Sequence, residues 1–162
     1  MRFPLLSLAL GLVAALGLSG MAVGQDVVSG PARVIDGDTI QIQHLRIRMH
    51  GIDAPENAQR CLDAAGRSYG CGQVATNALA SMTGRSKVEC RVLDMDRYGR
   101  LIAVCHRDGI DLNAWMVRDG HAMAYRRYSA DYISHEDAAR SDRIGIWQGR
   151  FVAPWDWRRG AR

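Results

Sequence analysis

The chain has 162 residues, a length that suits one globular domain, and its formal net charge is +4. So small an excess does not identify a nucleic-acid-binding protein, although arginine outnumbers lysine 20 to 1. That bias is compatible with a phosphate-rich partner, and a GC-rich genome would produce the same bias. The chain has no CxxC pair and its five histidines lack zinc-ligand spacing, which argues against a structural zinc site.

The first 24 residues have the pattern of a secretory signal peptide. Arg2 precedes an almost wholly apolar run over residues 5–18, and Ala22 and Gly24 are small residues just before a cut at Gln25. An uncleaved membrane anchor is the alternative, because the stretch over residues 5–23 is just long enough to span a bilayer. The small residues and the missing basic flank favour cleavage. We therefore expect an exported domain, periplasmic or secreted, over residues 25–162.

Three carboxylates and one arginine lie on or beside the strands that the alternation of apolar residues predicts before residue 56. Asp38 and Asp53 are 15 residues apart, enough for a strand to end, reverse and return, so we expect them to meet at one end of a sheet. Paired carboxylates must share a cation, share a proton or repel each other. Ligation by oxygen alone suits Ca²⁺ or Mg²⁺. Arg48, close to both aspartates and to Glu56, suits a phosphate substrate.

Four cysteines in an exported chain predict two disulfides. Two later strands flank a turn that we place between Arg97 and Tyr98, so the numbers of facing residues sum to 195. Cys90 and Cys105 satisfy this sum and are expected to face each other closely enough to bond. The second disulfide then joins the two remaining cysteines, Cys61 and Cys71, and would staple a polar connection over residues 57–72.

Apolar periodicity and turn residues predict five short strands and three helices. The strands are expected over residues 27–35, around Ile40 and Ile42, and over residues 45–49, 87–93 and 100–106. The helices are expected over residues 73–83, with Val74, Ala78, Leu79 and Met82 on the buried face, from Asp111 to Gly120, and from Ser129 or Asp131 to about Ile144. This order favours an α+β fold built on a small, closed or nearly closed barrel.

The last segment, residues 145–162, is rich in aromatic residues. We expect Trp147, Phe151, Trp155 and Trp157 to pack back on the domain. The basic residues that follow are expected in solvent: Arg158, Arg159 and Arg162.

Three motifs, in this order, resemble the staphylococcal nuclease (thermonuclease) family, in particular its secreted, cysteine-bearing bacterial members. They are Ile35-Asp36-Gly37-Asp38-Thr39, Arg48-x4-Asp53-Ala54-Pro55-Glu56 and Asp96-Arg97-Tyr98-Gly99-Arg100. Each motif alone occurs by chance as a turn, whereas all three stand in the expected places relative to the strands. The resemblance implies a five-stranded OB-fold, a Greek-key β-barrel with about three helices. It also implies a Ca²⁺-dependent phosphodiesterase acting on DNA and on RNA, with single-stranded or open regions preferred.

The resemblance also implies the ligands of the metal ion. Asp38 and Asp53 match the two carboxylates that bind Ca²⁺, and the backbone carbonyl of Ala54 matches a third ligand. The family more often has threonine at this last position. Because the ligand there is a backbone atom, alanine is expected to serve.

Residue roles in catalysis and substrate binding follow from the same resemblance. Arg48 and Arg100 match the two arginines that hold the scissile phosphate, and Glu56 matches the glutamate that activates water. Tyr98 and Tyr125 resemble residues that contact a neighbouring phosphate and nucleotide. The leading interpretation is therefore an exported, monomeric Ca²⁺-dependent nuclease. The alternatives are a non-catalytic OB-fold module that binds nucleic acid, and a disulfide-bonded structural or oligosaccharide-binding module, neither of which needs all five charged residues.

Overall fold

The computed structural model describes residues 26–162, so the predicted signal peptide lies outside the described residues. The strands are β1 (Val27–Asp36), β2 (Thr39–Ile42), β3 (Leu45–Met49), β4 (Ile52–Asp53), β5 (Cys61–Leu62), β6 (Ser68–Tyr69), β7 (Lys87–Met95), β8 (Leu101–Arg107), β9 (Ile110–Asp111) and β10 (Met123–Ala124). The helices are α1 (Cys71–Thr83), α2 (Leu112–Arg118), α3 (Ile133–Ser141), a 3₁₀ turn over Gly145–Gln148, and α4 (Pro154–Trp157).

Five strands close into a barrel in the order β3-β2-β1-β7-β8, and β3 pairs with β8 to complete the ring. All neighbours along this order are antiparallel, while the closing pair is parallel and sets Arg48 opposite Ile102. The alternation predicted for β2 and β3 is visible in the core, where Ile40, Ile42 and Ile47 are fully buried. The predicted α+β fold with a five-stranded OB-type barrel is confirmed.

Helix α1 begins at Cys71, two residues earlier than predicted, and its buried face differs from the predicted one. Ala75 and Leu79 are buried, but Val74 is 46% exposed, so its assignment to the core is wrong. A short hairpin of β5 and β6 occupies the connection that precedes this helix.

Helix α2 begins as predicted, because the Asp111 side chain accepts a hydrogen bond from the backbone amide of Ala114 at 2.9 Å. Gly120 follows the helix with a left-handed φ of +67°, as expected of a glycine that ends a helix. Helix α3 is shorter at both ends than the predicted segment. Among residues 26–162, no helix is long and apolar enough to cross a bilayer.

Both predicted disulfides are confirmed, Cys90 with Cys105 across β7 and β8, and Cys61 with Cys71 beside the start of α1. The Cys90–Cys105 pairing was predicted from a turn between Arg97 and Tyr98, but the strands next to this turn have a different register. Met95 faces Leu101, so the register sum next to the turn is 196, and a bulge at Leu93 restores the sum of 195 farther along the hairpin. The predicted register is therefore right at the cysteines and wrong by one residue at the turn.

Three of the four predicted tail aromatics pack back on the domain. Trp147, Phe151 and Trp155 contact a small buried cluster around the Cys61–Cys71 disulfide. Arg150 exchanges backbone hydrogen bonds with Leu62, at 2.8 and 3.2 Å. The tail is therefore a fixed part of the fold up to α4.

Candidate active site

The turn between β1 and β2 presents Asp38 to the segment that follows β4. Asp38 Oδ2 accepts a hydrogen bond from the backbone amide of Ala54 at 2.8 Å, and the residue is only 5% exposed. Gly37 permits this approach, because a Cβ added there would lie 2.6 Å from the Cβ of Ala54 and 2.9 Å from that of Ala75. The glycine between the two aspartates of the first motif is thus explained by close packing.

Arg48, on β3, joins the two predicted metal ligands. Its Nη2 donates to Asp53 Oδ1 at 2.8 Å, and its Nη1 forms an ion pair with Asp38 Oδ1. The Asp53 side chain is fully buried, and its backbone is held by pairing of β4 with β10. Two buried carboxylates near each other require compensating positive charge. The structure therefore brings Asp38 and Asp53 together on one guanidinium.

Glu56 is held by a buried glutamine that the sequence analysis did not single out. The backbone amide of Gln59 donates to the Glu56 carbonyl at 2.7 Å. The side-chain oxygen of Gln59, Oε1, accepts from the backbone amide of Glu56 at 3.3 Å. Gln59 Nε2 also donates to the carbonyl of Val152 at 2.6 Å. Gln59 is fully buried, so it ties the backbone of Glu56 to the C-terminal tail. A polar residue in a polar connection gives no signal of this role in sequence.

The loop between β7 and β8 supplies Tyr98 and Arg100. Asp96 binds Arg100 through both carboxylate oxygens, accepting from its backbone amide at 3.0 Å and from its Nε at 2.8 Å. Partial burial favours the protonated carboxyl, but the hydrogen bonds from Arg100 outweigh this effect and lower the pKa of Asp96. Tyr98 is 69% exposed beside the Arg97 guanidinium. Its position at the rim suits a residue that contacts an extended ligand.

Tyr125 follows β10 and lies in an aromatic group. Its ring stacks on Trp155, with centroids 5.4 Å apart and planes inclined by 7°, and it meets Tyr128 edge-on. Its backbone amide donates to the carbonyl of Gly51 at 2.8 Å, which fixes it near β4. The predicted substrate-contacting tyrosine is therefore held by a tail residue whose only predicted role was packing.

Arg158 is the site residue whose contacts the sequence analysis missed, although its side chain is 37% exposed. It was expected in solvent, but its guanidinium contacts both oxygens of Asp53, at 3.1 and 2.8 Å, and Glu56 Oε1 at 2.7 Å. Burial would lower the pKa of Arg158, but the hydrogen bonds and negative charge of Asp53 and Glu56 raise it instead. It lies more than 100 positions from these partners, so local sequence patterns carry no signal of the contact.

One cleft of about 1110 Å³ collects these side chains. It is lined by seven of the predicted site residues, together with Arg158: Asp38, Arg48, Ala54, Glu56, Tyr98, Arg100 and Tyr125. Asp53 does not line the cleft, because its carboxylate is buried and contacts Arg48 and Arg158. The structure thus brings the predicted residues to one cleft, with Asp53 immediately beneath its surface.

The donor atoms at Asp38 and Asp53 suit a hard cation. Both are carboxylates, and Ala54, whose carbonyl is the third predicted ligand, lines the same cleft. Within residues 26–162, no group of three or more His, Cys, Asp or Glu side chains is arranged to hold a metal ion. A cation here would therefore need the two carboxylates, a backbone carbonyl and water, a set that Ca²⁺ accepts and structural zinc does not.

Comparison with known proteins shows which family the chain resembles. A family model described as staphylococcal nuclease homologue matches residues 46–149, more than half of the chain. The succinoglycan biosynthesis protein ExoI of Rhizobium meliloti (strain 1021) is 37% identical over 141 residues, covering 85% of this chain and 74% of that protein. The micrococcal nuclease of Shigella flexneri is 34% identical over 148 residues, covering 80% and 79%. An uncharacterized endonuclease of Escherichia coli O157:H7 is 33% identical over 141 residues, covering 82% and 86%. The chain therefore belongs to the staphylococcal nuclease family.

Proposed function

We propose that this protein is an exported Ca²⁺-dependent nuclease that hydrolyses phosphodiester bonds of DNA, RNA or both, with single-stranded or open regions preferred. The observation that carries the proposal is the convergence of Asp38, Glu56 and two arginines, Arg48 and Arg100, on one cleft, with buried Asp53 bonded to Arg48 immediately beneath it. The nucleases among its relatives support the reaction class. The two disulfides support an oxidising compartment, as in the periplasm or outside the cell.

Hydrolysis of a phosphodiester develops negative charge on the phosphate, and the arginines of the cleft supply the opposing charge. Arg48 and Arg100 carry guanidinium forks that match phosphate oxygens two at a time. Each fixed donor of this kind lowers a barrier by about 3 kcal/mol. Asp96 orients Arg100 in advance, so that little reorganisation is needed when charge develops.

Glu56 is the carboxylate best placed to accept a proton from water, because its side chain is 34% exposed to the cleft whereas Asp53 is fully buried. Asp38, Asp53 and Ala54 would hold Ca²⁺. When bound, Ca²⁺ supplies a template for the phosphate and a Lewis acid. Tyr98 and Tyr125 lie at the cleft where the flanking nucleotide would run.

Cleavage of denatured DNA and of RNA, measured in Ca²⁺ and in EDTA, tests the proposal. We expect hydrolysis in Ca²⁺ and none in EDTA. Glu56→Gln keeps the size of the side chain and removes its basicity, so turnover should fall by orders of magnitude while binding of a single-stranded oligonucleotide persists. Oligonucleotide binding without hydrolysis in any metal would instead support a non-catalytic OB-fold binding module.

A further inference from the structure

Arg158 is fixed at the site by the tail that carries it. The tail residue Val152 accepts a hydrogen bond from buried Gln59, Pro154 is buried, and Trp155 stacks on Tyr125. These contacts hold α4 beside the cleft, and Arg158 directly follows α4. The guanidinium is therefore delivered to the carboxylates by an anchored element of the fold.

Arg158 engages the carboxylates that the proposed reaction needs. Both of its terminal nitrogens bind Asp53, and Nη1 also binds Glu56. Arg48 contacts only one oxygen of Asp53, so Asp53 Oδ2 has Arg158 as its charged partner. A carboxylate that accepts hydrogen bonds from two guanidinium groups binds a metal ion less strongly, because its negative charge is already compensated.

We propose that the Arg158 guanidinium neutralises Asp53 and Glu56 when no metal ion is bound, and that Ca²⁺ must displace it to bind. Arg158 then sets the Ca²⁺ concentration at which the site is half occupied. The inference rests on the proposed function in one respect, the assignment of Asp53 as a Ca²⁺ ligand. It adds a residue outside the segment that matches the family, which ends at residue 149.

The effect of this competition on Ca²⁺ affinity depends on how often Asp53 is free of Arg158. When only a fraction of the molecules has Asp53 free of Arg158, the apparent affinity for Ca²⁺ is reduced by that fraction. If the paired form outnumbers the open form by about ten to one, removing the arginine tightens Ca²⁺ binding about ten-fold. Arg48, which bridges Asp38 and Asp53, is the same residue in both proteins, so the difference between them reports on Arg158.

Calorimetric titration of Ca²⁺ into the whole chain, without substrate, tests the inference. The variants are Arg158→Gln, which removes the charge, and Arg159→Gln as the matched control. Arg159 is the next residue, is exposed, and pairs with Asp156 instead of with a site carboxylate. We expect the Kd for Ca²⁺ to fall about ten-fold in Arg158→Gln and to stay unchanged in Arg159→Gln.

Thermal melting provides a second readout that does not depend on enzymatic activity. In EDTA, Arg158→Gln should melt at a lower temperature than the native chain, because Asp53 loses one of its two charged partners. Saturating Ca²⁺ should then raise the melting temperature of Arg158→Gln by more than that of the native chain. Equal Ca²⁺-induced shifts in the two proteins would contradict the inference.

The possible results separate the inference from the proposed function. An equal or higher Kd in Arg158→Gln overturns the displacement of Arg158 while leaving a Ca²⁺ site in place. No Ca²⁺ binding to either protein overturns both the Ca²⁺ site and the displacement. A ten-fold lower Kd in a chain that hydrolyses neither DNA nor RNA supports the inference and contradicts the nuclease proposal.

Discussion

The carboxylate of Asp96 holds Arg100 at two points, the backbone amide at 3.0 Å and Nε at 2.8 Å. Arg100 is the residue proposed to bind the scissile phosphate from the β7–β8 loop. A side chain fixed at its Nε keeps its two terminal nitrogens free for a ligand. Asp96 is therefore a positioning residue, and its contribution can be measured separately from that of the arginine.

Replacing Asp96 with asparagine should loosen Arg100 without removing its charge. We expect kcat to fall about ten- to a hundred-fold, because a misplaced phosphate-binding group loses transition-state contacts. Asp63→Asn is the matched control, since Asp63 binds the Arg67 amide and Nε at 2.9 Å in the same pattern away from the cleft. Nuclease assays of both variants check this, and equal losses would contradict it.

The Asp96–Arg100 pair also predicts a pH dependence of stability. The pKa of Asp96 is lowered in the folded state, so its contribution to folding is fully present above the usual aspartate value of 3.8 and is lost as pH falls below it. The melting temperatures of the native chain and of Asp96→Asn should differ by a constant amount from neutral pH to about 4. The difference should shrink as pH falls below about 4, and a difference that already vanishes between neutral pH and pH 4 would argue against the pairing.

Substitution of Gly72 should displace Glu56. A Cβ on Gly72 would lie 1.7 Å from the Glu56 carbonyl oxygen, so Gly72→Ala forces the backbone of that segment to move. We expect a large loss of turnover and a stability loss of about 1–3 kcal/mol. In Gly70→Ala, the nearest atom to the new Cβ is Gln73 Cβ at 3.8 Å, so both measurements should stay near native values.

Loss of the Trp155 ring should weaken substrate binding through Tyr125. Trp155→Leu keeps an apolar side chain but removes the stack that orients the Tyr125 ring. KM for single-stranded DNA should rise several-fold with little change in kcat. Trp157→Leu is the control on the same helix, since the Trp157 ring meets the Arg162 guanidinium instead of Tyr125. Identical kinetics of the two variants would remove Tyr125 from substrate binding.

Each disulfide should stabilise the fold measurably. The Cys90–Cys105 and Cys61–Cys71 bonds span 15 and 10 residues, and loops of this size correspond to roughly 2–4 kcal/mol of folding free energy. The paired alanine variants should each lower the melting temperature. Peptide mapping under non-reducing conditions should recover only these two pairs, and a Cys61–Cys90 peptide would refute the pairing.

The site motif was predictable because its residues lie close in sequence. Asp38 and Asp53 are separated by one reversal of the chain, so alternation and turn residues were enough to predict that they meet. The disulfide between Cys90 and Cys105 was predicted from a hairpin register that is wrong by one residue next to the turn. The bulge at Leu93 compensates for the displacement. A bulge depends on barrel curvature, which leaves no pattern in a single strand.

Contacts made by the tail could not be predicted in the same way. Arg158 follows an aromatic segment, and a terminal arginine in such a position is ordinarily solvated. Its contact with Asp53 depends on how Gln59 and the disulfide at Cys61 orient the tail, which are tertiary relationships. The exposure of Val74 is a similar case, because the helix face that is buried is set by the barrel wall beside it.

The β5–β6 hairpin, with its exposed tip over residues 64–68, lies between Cys61 and Cys71. A protease that cuts after Arg67 would leave two fragments, one with the three site carboxylates Asp38, Asp53 and Glu56 and the other with Arg100 and Arg158. The disulfide would keep these fragments covalently joined, and the closed barrel would keep them in register. A nicked molecule would therefore migrate as one chain until it is reduced.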